Sequence, residues 1–115
     1  MKSVVVYYRS EEAGILAKFH DGSYEFRYVR KYLRDATAPS VSLTLPKSRA
    51  VHRSPVLFPF FFGLLAEGAQ KRLQCRELRI DENDHFTRLA ETCREGVIGA
   101  VHVLPRVRRR RTVST

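Results

Sequence analysis

The stretch PVLFPFFFGLLAEG, from Pro55 to Gly68, is where the chain changes character. Its central part, residues 56–66, is apolar on every side and carries Leu57, Phe58, Phe60, Phe61, Phe62, Leu64 and Leu65. That length and the leucine content favour helix over strand. Pro59 fits a first helical turn, where its missing N–H is one that a helix leaves unpaired anyway. Gly68 is expected to break the helix at its C-terminal end. One face of such a helix can turn to its own core, where each large side chain contributes roughly 1.5 to 3 kcal/mol. The other face is either covered by residues 41–45 and the flanking helices or left as a patch for a partner.

Upstream of this stretch the pattern is that of strands. Residues 3–9 are rich in Val and Tyr, and a polar turn over 10–13 follows. Residues 14–19 and 23–29 read as a hairpin about Asp21 and Gly22, a pair suited to a type I′ turn with positive φ at both central positions. Tyr24, Phe26 and Tyr28 alternate with Glu25 and Arg27, which makes one face apolar and one wet. Residues 30–35 read as one or two helical turns and 37–40 as a loop around Pro39. Residues 41–45 read as a short strand with Val41, Leu43 and Leu45 on one side, ended by Pro46. Residues 47–54 form a polar connection with a weak strand near Val51.

Downstream the pattern is helical. Residues 69–79 predict an amphipathic helix with Ala69, Leu73 and either Cys75 or Leu78 facing inward. Asn83 or Asp84 can cap the next helix, where Phe86, Leu89, Ala90 and Cys93 follow the i, i+3, i+4, i+7 rule until Gly96 ends it. Residues 99–104 read as a last strand that places His102 on the sheet's second face, and Pro105 closes the domain. Strands first, helices next and one returning strand predict an α+β domain over residues 1–105. The expected architecture is a small, mostly antiparallel sheet of about five strands with two to three helices on one side.

At 115 residues the chain has room for one domain and can bury enough surface to fold without staples. Its hydrophobic fraction of 43% and charged fraction of 29% are ordinary for a globular protein, which argues against general disorder. Cys75 and Cys93 have 17 residues between them, a spacing that fits neither a metal site nor a redox motif, so both read as reduced structural thiols. A cytoplasmic location is expected, since no disulfide framework is needed and the apolar run 4–8 is too short for a secretory signal. No stretch approaches the roughly 18 to 20 apolar residues of a membrane span. The net charge of +9 comes from 21 basic and 12 acidic residues, and five of the 21 are Arg106, Arg108, Arg109, Arg110 and Arg111. Without those five, 16 basic residues face 12 acidic ones, so the excess belongs largely to a tail over 106–115. That tail reads as a solvated, disordered terminus, with phosphate neutralisation on a nucleic acid as the alternative. It lacks interleaved aromatics for base stacking.

Catalytic chemistry has little footing. The six glycines form no phosphate-binding loop. His20, His52, His85 and His102 are scattered without ligand spacing, and no Ser or Cys stands in a nucleophile motif. The carboxylates at Glu11 and Glu12 are turn-like, while Asp81, Glu82 and Asp84 precede a helix and complement its N-terminal partial charge. No enzyme activity, metal or cofactor is expected.

Four groups of residues resemble a known family in order and spacing: Ser42-Leu43-Thr44-Leu45-Pro46, Pro59-Phe60-Phe61, Gly63-Leu64-Leu65-Ala66-Glu67-Gly68, and Gly99-Ala100-Val101 before Pro105. They are similar to the N-terminal subdomain of HipA-type serine/threonine kinases, across about residues 3–105. The resemblance implies the same α+β fold. The kinase core that follows in the family is unmatched, and with it every part of phosphoryl transfer. The chain is therefore expected to be the subdomain as a free-standing protein, similar to the HipS antitoxin of tripartite HipBST toxin–antitoxin systems. Its implied role is to bind and neutralise a HipA-like kinase toxin, with a helix-turn-helix DNA-binding protein as a third component. An activating subunit of a split kinase uses the same docking surface, and a nucleic-acid-binding accessory led by the arginine tail is a further alternative.

The sequence departs from the family locally. The family has a polar residue where Phe62 stands, Asn at Gly63 and Pro at Ala66. A polar preference implies an exposed position, so Phe62 is the expected anchor for a partner pocket. Phe60, Gly63 and Leu64 are expected beside it, with Glu67 and Arg72 as rim contacts. Phe58, Phe61 and Leu65 are the core candidates.

Overall fold

A computed structural model describes residues 1–92 and 101–105. Cys93, the expected helix end at Gly96, residues 99 and 100 of the last strand and the arginine tail lie outside the described residues, as does the side chain of His102. The elements run β1 (Lys2–Tyr8), β2 (Glu11–Lys18), β3 (Tyr24–Tyr28), α1 (Arg30–Arg34), β4 (Val51–Ser54), α2 (Pro59–Phe62), α3 (Gly68–Leu78), α4 (His85–Thr92) and β5 (Val101–Pro105). The five strands form one antiparallel sheet in the order β4-β3-β2-β1-β5. The expected α+β class and architecture hold.

Register explains which face is buried. Val4 pairs with Leu16, Leu16 with Phe26, and Phe26 with His52. Val6 pairs with Gly14 on one side and Val103 on the other, and Gly14 with Tyr28. These residues line the face that receives Tyr32, Phe58, Phe61, Leu65, Phe86 and Leu89 from the connecting segments. Phe61 is fully buried beneath the sheet, its ring 5.7 Å from Phe26 and 6.2 Å from Phe58. Gly14 is required here, because a Cβ would lie 2.6 Å from the Arg27 carbonyl oxygen and 2.7 Å from Phe26 Cζ.

The β2–β3 turn differs from the expected type I′. Only Gly22 has positive φ, at 90°. Its N–H donates to the Phe19 carbonyl (2.9 Å), and the Phe19 N–H donates to the Ser23 carbonyl (2.8 Å). This is the longer hairpin loop in which the glycine closes a bulge, so one left-handed residue suffices. Glu25 also departs from the wet-face reading, since it is buried between Arg27 (3.3 Å) and Arg53 (3.2 Å).

Residues 41–45 are not a strand. Ser42 Oγ accepts the Thr44 N–H (3.2 Å) and contacts Thr44 Oγ1 (2.9 Å), while the Leu45 N–H turns back to the Ser42 carbonyl (3.0 Å). Such local bonds compete with sheet pairing. Val41 and Leu45 are buried, but Leu43 projects from the tip and is 97% exposed. The loop is held by Tyr28, whose hydroxyl donates to the Leu45 carbonyl and accepts the Val41 N–H (3.0 Å). The Tyr28 ring stacks on Tyr32 with centroids 5.9 Å apart, and the Tyr32 hydroxyl donates to the Pro39 carbonyl. Burial raises both phenol pKa values, that of Tyr32 to about 12, so both keep the proton they donate.

The apolar stretch 56–66 is helical only from Pro59 to Phe62, with Pro59 in the first turn as expected. Leu64 and Leu65 then donate to the Phe61 and Phe62 carbonyls (3.1 Å each), a tightened path that bends the segment. Gly68, at φ 61°, opens α3 instead of ending a helix.

Candidate docking surface

The candidate docking surface follows from how the chain around α2 divides its side chains. Phe58, Phe61 and Leu65 enter the core, while Phe62, the last residue of the same short helix, is 48% exposed. Phe60 and Leu64 are half-buried and pack against the core cluster, so they offer only part of their surface. Gly63 is exposed at the end of α2, its N–H donating to the Pro59 carbonyl (2.9 Å). Glu67 is exposed and stands before α3 without a side-chain cap. Arg72 lies on α3 and lines a cleft with Cys75, Arg76, Ile80 and Glu82.

Two residues that the sequence reading passed over shape this surface. His85 begins α4, and its ring meets Phe62 edge-on at 5.0 Å. Its Nδ1 is buried with no hydrogen-bond partner among the described residues. Burial, followed by the charges of Arg88 and Lys71, depresses the His85 pKa below 6.5, so the ring beside Phe62 is neutral at neutral pH. Arg88 is only 3% exposed. Its guanidinium donates to the Ala66 carbonyl (2.7 Å) and reaches the Glu82 carbonyl (3.4 Å), which ties the chain after α2 to the turn before α4. Asp84 caps α4 as expected, accepting the Thr87 N–H (3.1 Å) and hydroxyl (2.8 Å). Burial works against its charge, but those bonds and the charges of Lys2 and Lys18 keep its pKa below the usual value.

Helix α3 corrects another expectation. Only Cys75 is buried on it, while Leu73 and Leu78 are 51% and 47% exposed and Ala69 is exposed. Leu73 and Cys75 are two positions apart, about 200° around the helix, so they cannot both face inward. Cys75 and the half-buried Lys71, 3.9 Å from Glu82, set the inner side.

The arrangement offers an aromatic and aliphatic surface, with Arg72 and Arg76 on α3. Among the described residues there is no cluster of three or more potential metal ligands. No described helix is long and apolar enough to cross a membrane.

Comparison with known proteins places the chain in a family context. The family model described as HipA N-terminal domain matches residues 4–104. A protein of Haemophilus influenzae described as uncharacterized is 32% identical over 103 residues, which make up 90% of this chain and 92% of the relative. A solved structure of the N-terminal domain of HipA toxin superimposes with a TM-score of 0.70 at 28% identity, over 95% of this chain and 96% of that one.

Proposed function

The chain belongs to the HipA N-terminal domain family, and from that premise we propose that it is an antitoxin that binds and neutralises a HipA-like serine/threonine kinase. The match falls on the N-terminal domain and not on the kinase catalytic part. The observation that carries the reading is the extent of the likeness, which takes in 95% of this chain and 96% of the matched domain. The Haemophilus relative, 92% spanned by this chain, is a further protein whose length is nearly all taken up by this likeness. A separate copy presents to a kinase chain the surfaces that the domain presents within a HipA toxin. Phe62 is the anchor on this reading, since a half-exposed aromatic on a fixed backbone is the kind of residue that dominates an interface.

Docking near the active cleft blocks substrate access or closure. The complex forms in the cytoplasm, where a helix-turn-helix protein supplies operator binding. The test is to co-express the chain with a HipA-like kinase from the same genome. Co-purification, rescue of growth and reduced phosphorylation by the purified kinase are expected. A complex in which the chain raises kinase activity would refute the antitoxin role, and absence of a complex would refute docking altogether.

A further inference from the structure

Helix α3 carries an inverted pattern. Ala69, Arg72, Leu73 and Arg76 fall at i, i+3, i+4 and i+7, the spacing of a single helical stripe, and all four are exposed. Such a stripe ordinarily packs inward. Here Ala69 and Leu73 face away from the Lys71–Glu82 pair that holds the other side down, while Arg72 and Arg76 line the cleft beside Cys75 and Glu82. Arg72 and Arg76 are one turn apart and repel each other. Neither has an ion-pair partner among the described residues. Neither carboxylate across the cleft pairs with them: Asp81 accepts the Asn83 N–H (2.8 Å) and Glu82 pairs with Lys71. An 11-residue helix is also shorter than helices that persist without packing. The stripe thus combines half-exposed Leu73, a small Ala69 and two cations whose mutual repulsion a bridging anion would relieve.

Resting on the docking reading above, we propose that this α3 stripe receives an acidic, partly apolar segment of the kinase, with a carboxylate bridging Arg72 and Arg76 and an apolar side chain over Leu73 and Ala69. His85, which touches Phe62, lies within electrostatic reach of Lys71 on the inner side of α3, so the Phe62 surface adjoins this helix. A protein occupant fits better than a nucleic acid. Leu73 stands between the two arginines in the stripe, and an aliphatic side chain there gains nothing from a phosphate backbone, whereas apolar contact ringed by arginine suits a protein interface.

The experiment measures the affinity of that HipA-like kinase for the full chain across a salt series. It compares wild type, R72E/R76E and the charge-neutral R72Q/R76Q, with helicity checked by circular dichroism. Charge reversal is expected to weaken binding roughly tenfold or more and to flatten the salt dependence, with the neutral pair intermediate. Leu73→Ser is expected to weaken binding without changing the salt slope. If wild type binds and both arginine variants bind equally well, the stripe is not the contact and the proposal falls while docking stands. If wild type does not bind the kinase, the docking reading fails and takes this proposal with it. If the arginine variants lose affinity for a labelled DNA duplex but keep the kinase, the occupant is nucleic acid and the proposal is overturned.

Discussion

Replacing Tyr28 with Phe removes one oxygen atom and should loosen the whole loop that precedes β4. The Tyr28 hydroxyl donates to the Leu45 carbonyl and accepts the Val41 N–H at 3.0 Å. Tyr28, Val41 and Leu45 are 3%, 5% and 2% exposed, so water cannot take over either bond while the loop stays in place. A buried polar group stripped of its partner costs about 1 to 3 kcal/mol. Two such groups set the loss at about 2 to 6 kcal/mol, a large part of the roughly 5 to 15 kcal/mol that holds a domain together. The ring stays, so its stack on Tyr32 and its edge contact with Phe26 are kept, and the loss reports the hydroxyl alone. Urea unfolding measures it, and amide exchange locates it, with the Val41 N–H expected to lose protection first. Tyr32→Phe is the internal comparison, since that hydroxyl makes a single bond to the Pro39 carbonyl and should cost about half as much. A Tyr28→Phe loss below about 0.5 kcal/mol, or unchanged Val41 exchange, would refute the claim that this hydroxyl pins the loop.

Other consequences are open to measurement. Phe62→Ala should change stability by no more than about 0.5 kcal/mol, because the ring is half-exposed, yet lower kinase affinity by roughly 30-fold in titration. Equal affinity would remove Phe62 as the anchor. Arg88→Ala should cost about 2 to 3 kcal/mol in urea unfolding, since it strips the Ala66 carbonyl of a charge-assisted bond inside the fold. A near-neutral result would mean that the Ala66 contact is dispensable. Gly14→Ala should cost about 1 to 3 kcal/mol, because the added methyl meets backbone at 2.6 Å, and a thermal scan of wild type against variant decides it. For His85, the folded-state pKa lies below 6.5, through burial first and then Arg88 and Lys71, with Lys18 adding to them and Asp84 opposing. The unfolded chain therefore binds the proton more readily, and stability should fall as pH drops through 6.5. His85→Gln should flatten that slope in unfolding curves taken from pH 7.5 to 5.5, and an unchanged slope would rule His85 out as the source.

What could be read in advance was local. The alternation of Tyr24, Phe26 and Tyr28 declared a half-buried strand, Asp84 stood where a cap belongs, and Pro59 began its helix. Helical spacing pointed to burial of Phe58, Phe61 and Leu65, although only Pro59–Phe62 proves helical, and Phe62, one turn on from Phe58, was set outside by the family resemblance alone. The misses were tertiary. Val41, Leu43 and Leu45 alternate as a strand would, but the Tyr28 hydroxyl and Ser42 Oγ take over the backbone groups that a strand would pair. Glu25 looked wet because its neighbour Arg53 arrives only when β4 pairs with β3. Leu73 looked inward because a leucine at helical spacing usually is, and only the position of Cys75 reverses it. Arg88 carried a faint signal, lying beside Leu89 and Phe86 at the edge of the apolar stripe, but nothing in spacing alone names the carbonyls of Ala66 and Glu82 as its partners.

The order of strands also fixes a timetable. β1 is the first strand made, yet one of its two neighbours is β5, with Val4 paired to Pro105 and Tyr8 to Val101. At roughly 5 to 20 residues per second of synthesis, that edge waits several seconds for its partner, with the hairpin of β2 and β3 already formed on the other side. An unpaired edge is a template for other chains. During those seconds the emerging protein is most exposed to aggregation and to quality control. A chain cut or stopped before Val101 would remain in that unfinished state, so intact β5 distinguishes a molecule able to present its docking surface from one that is cleared.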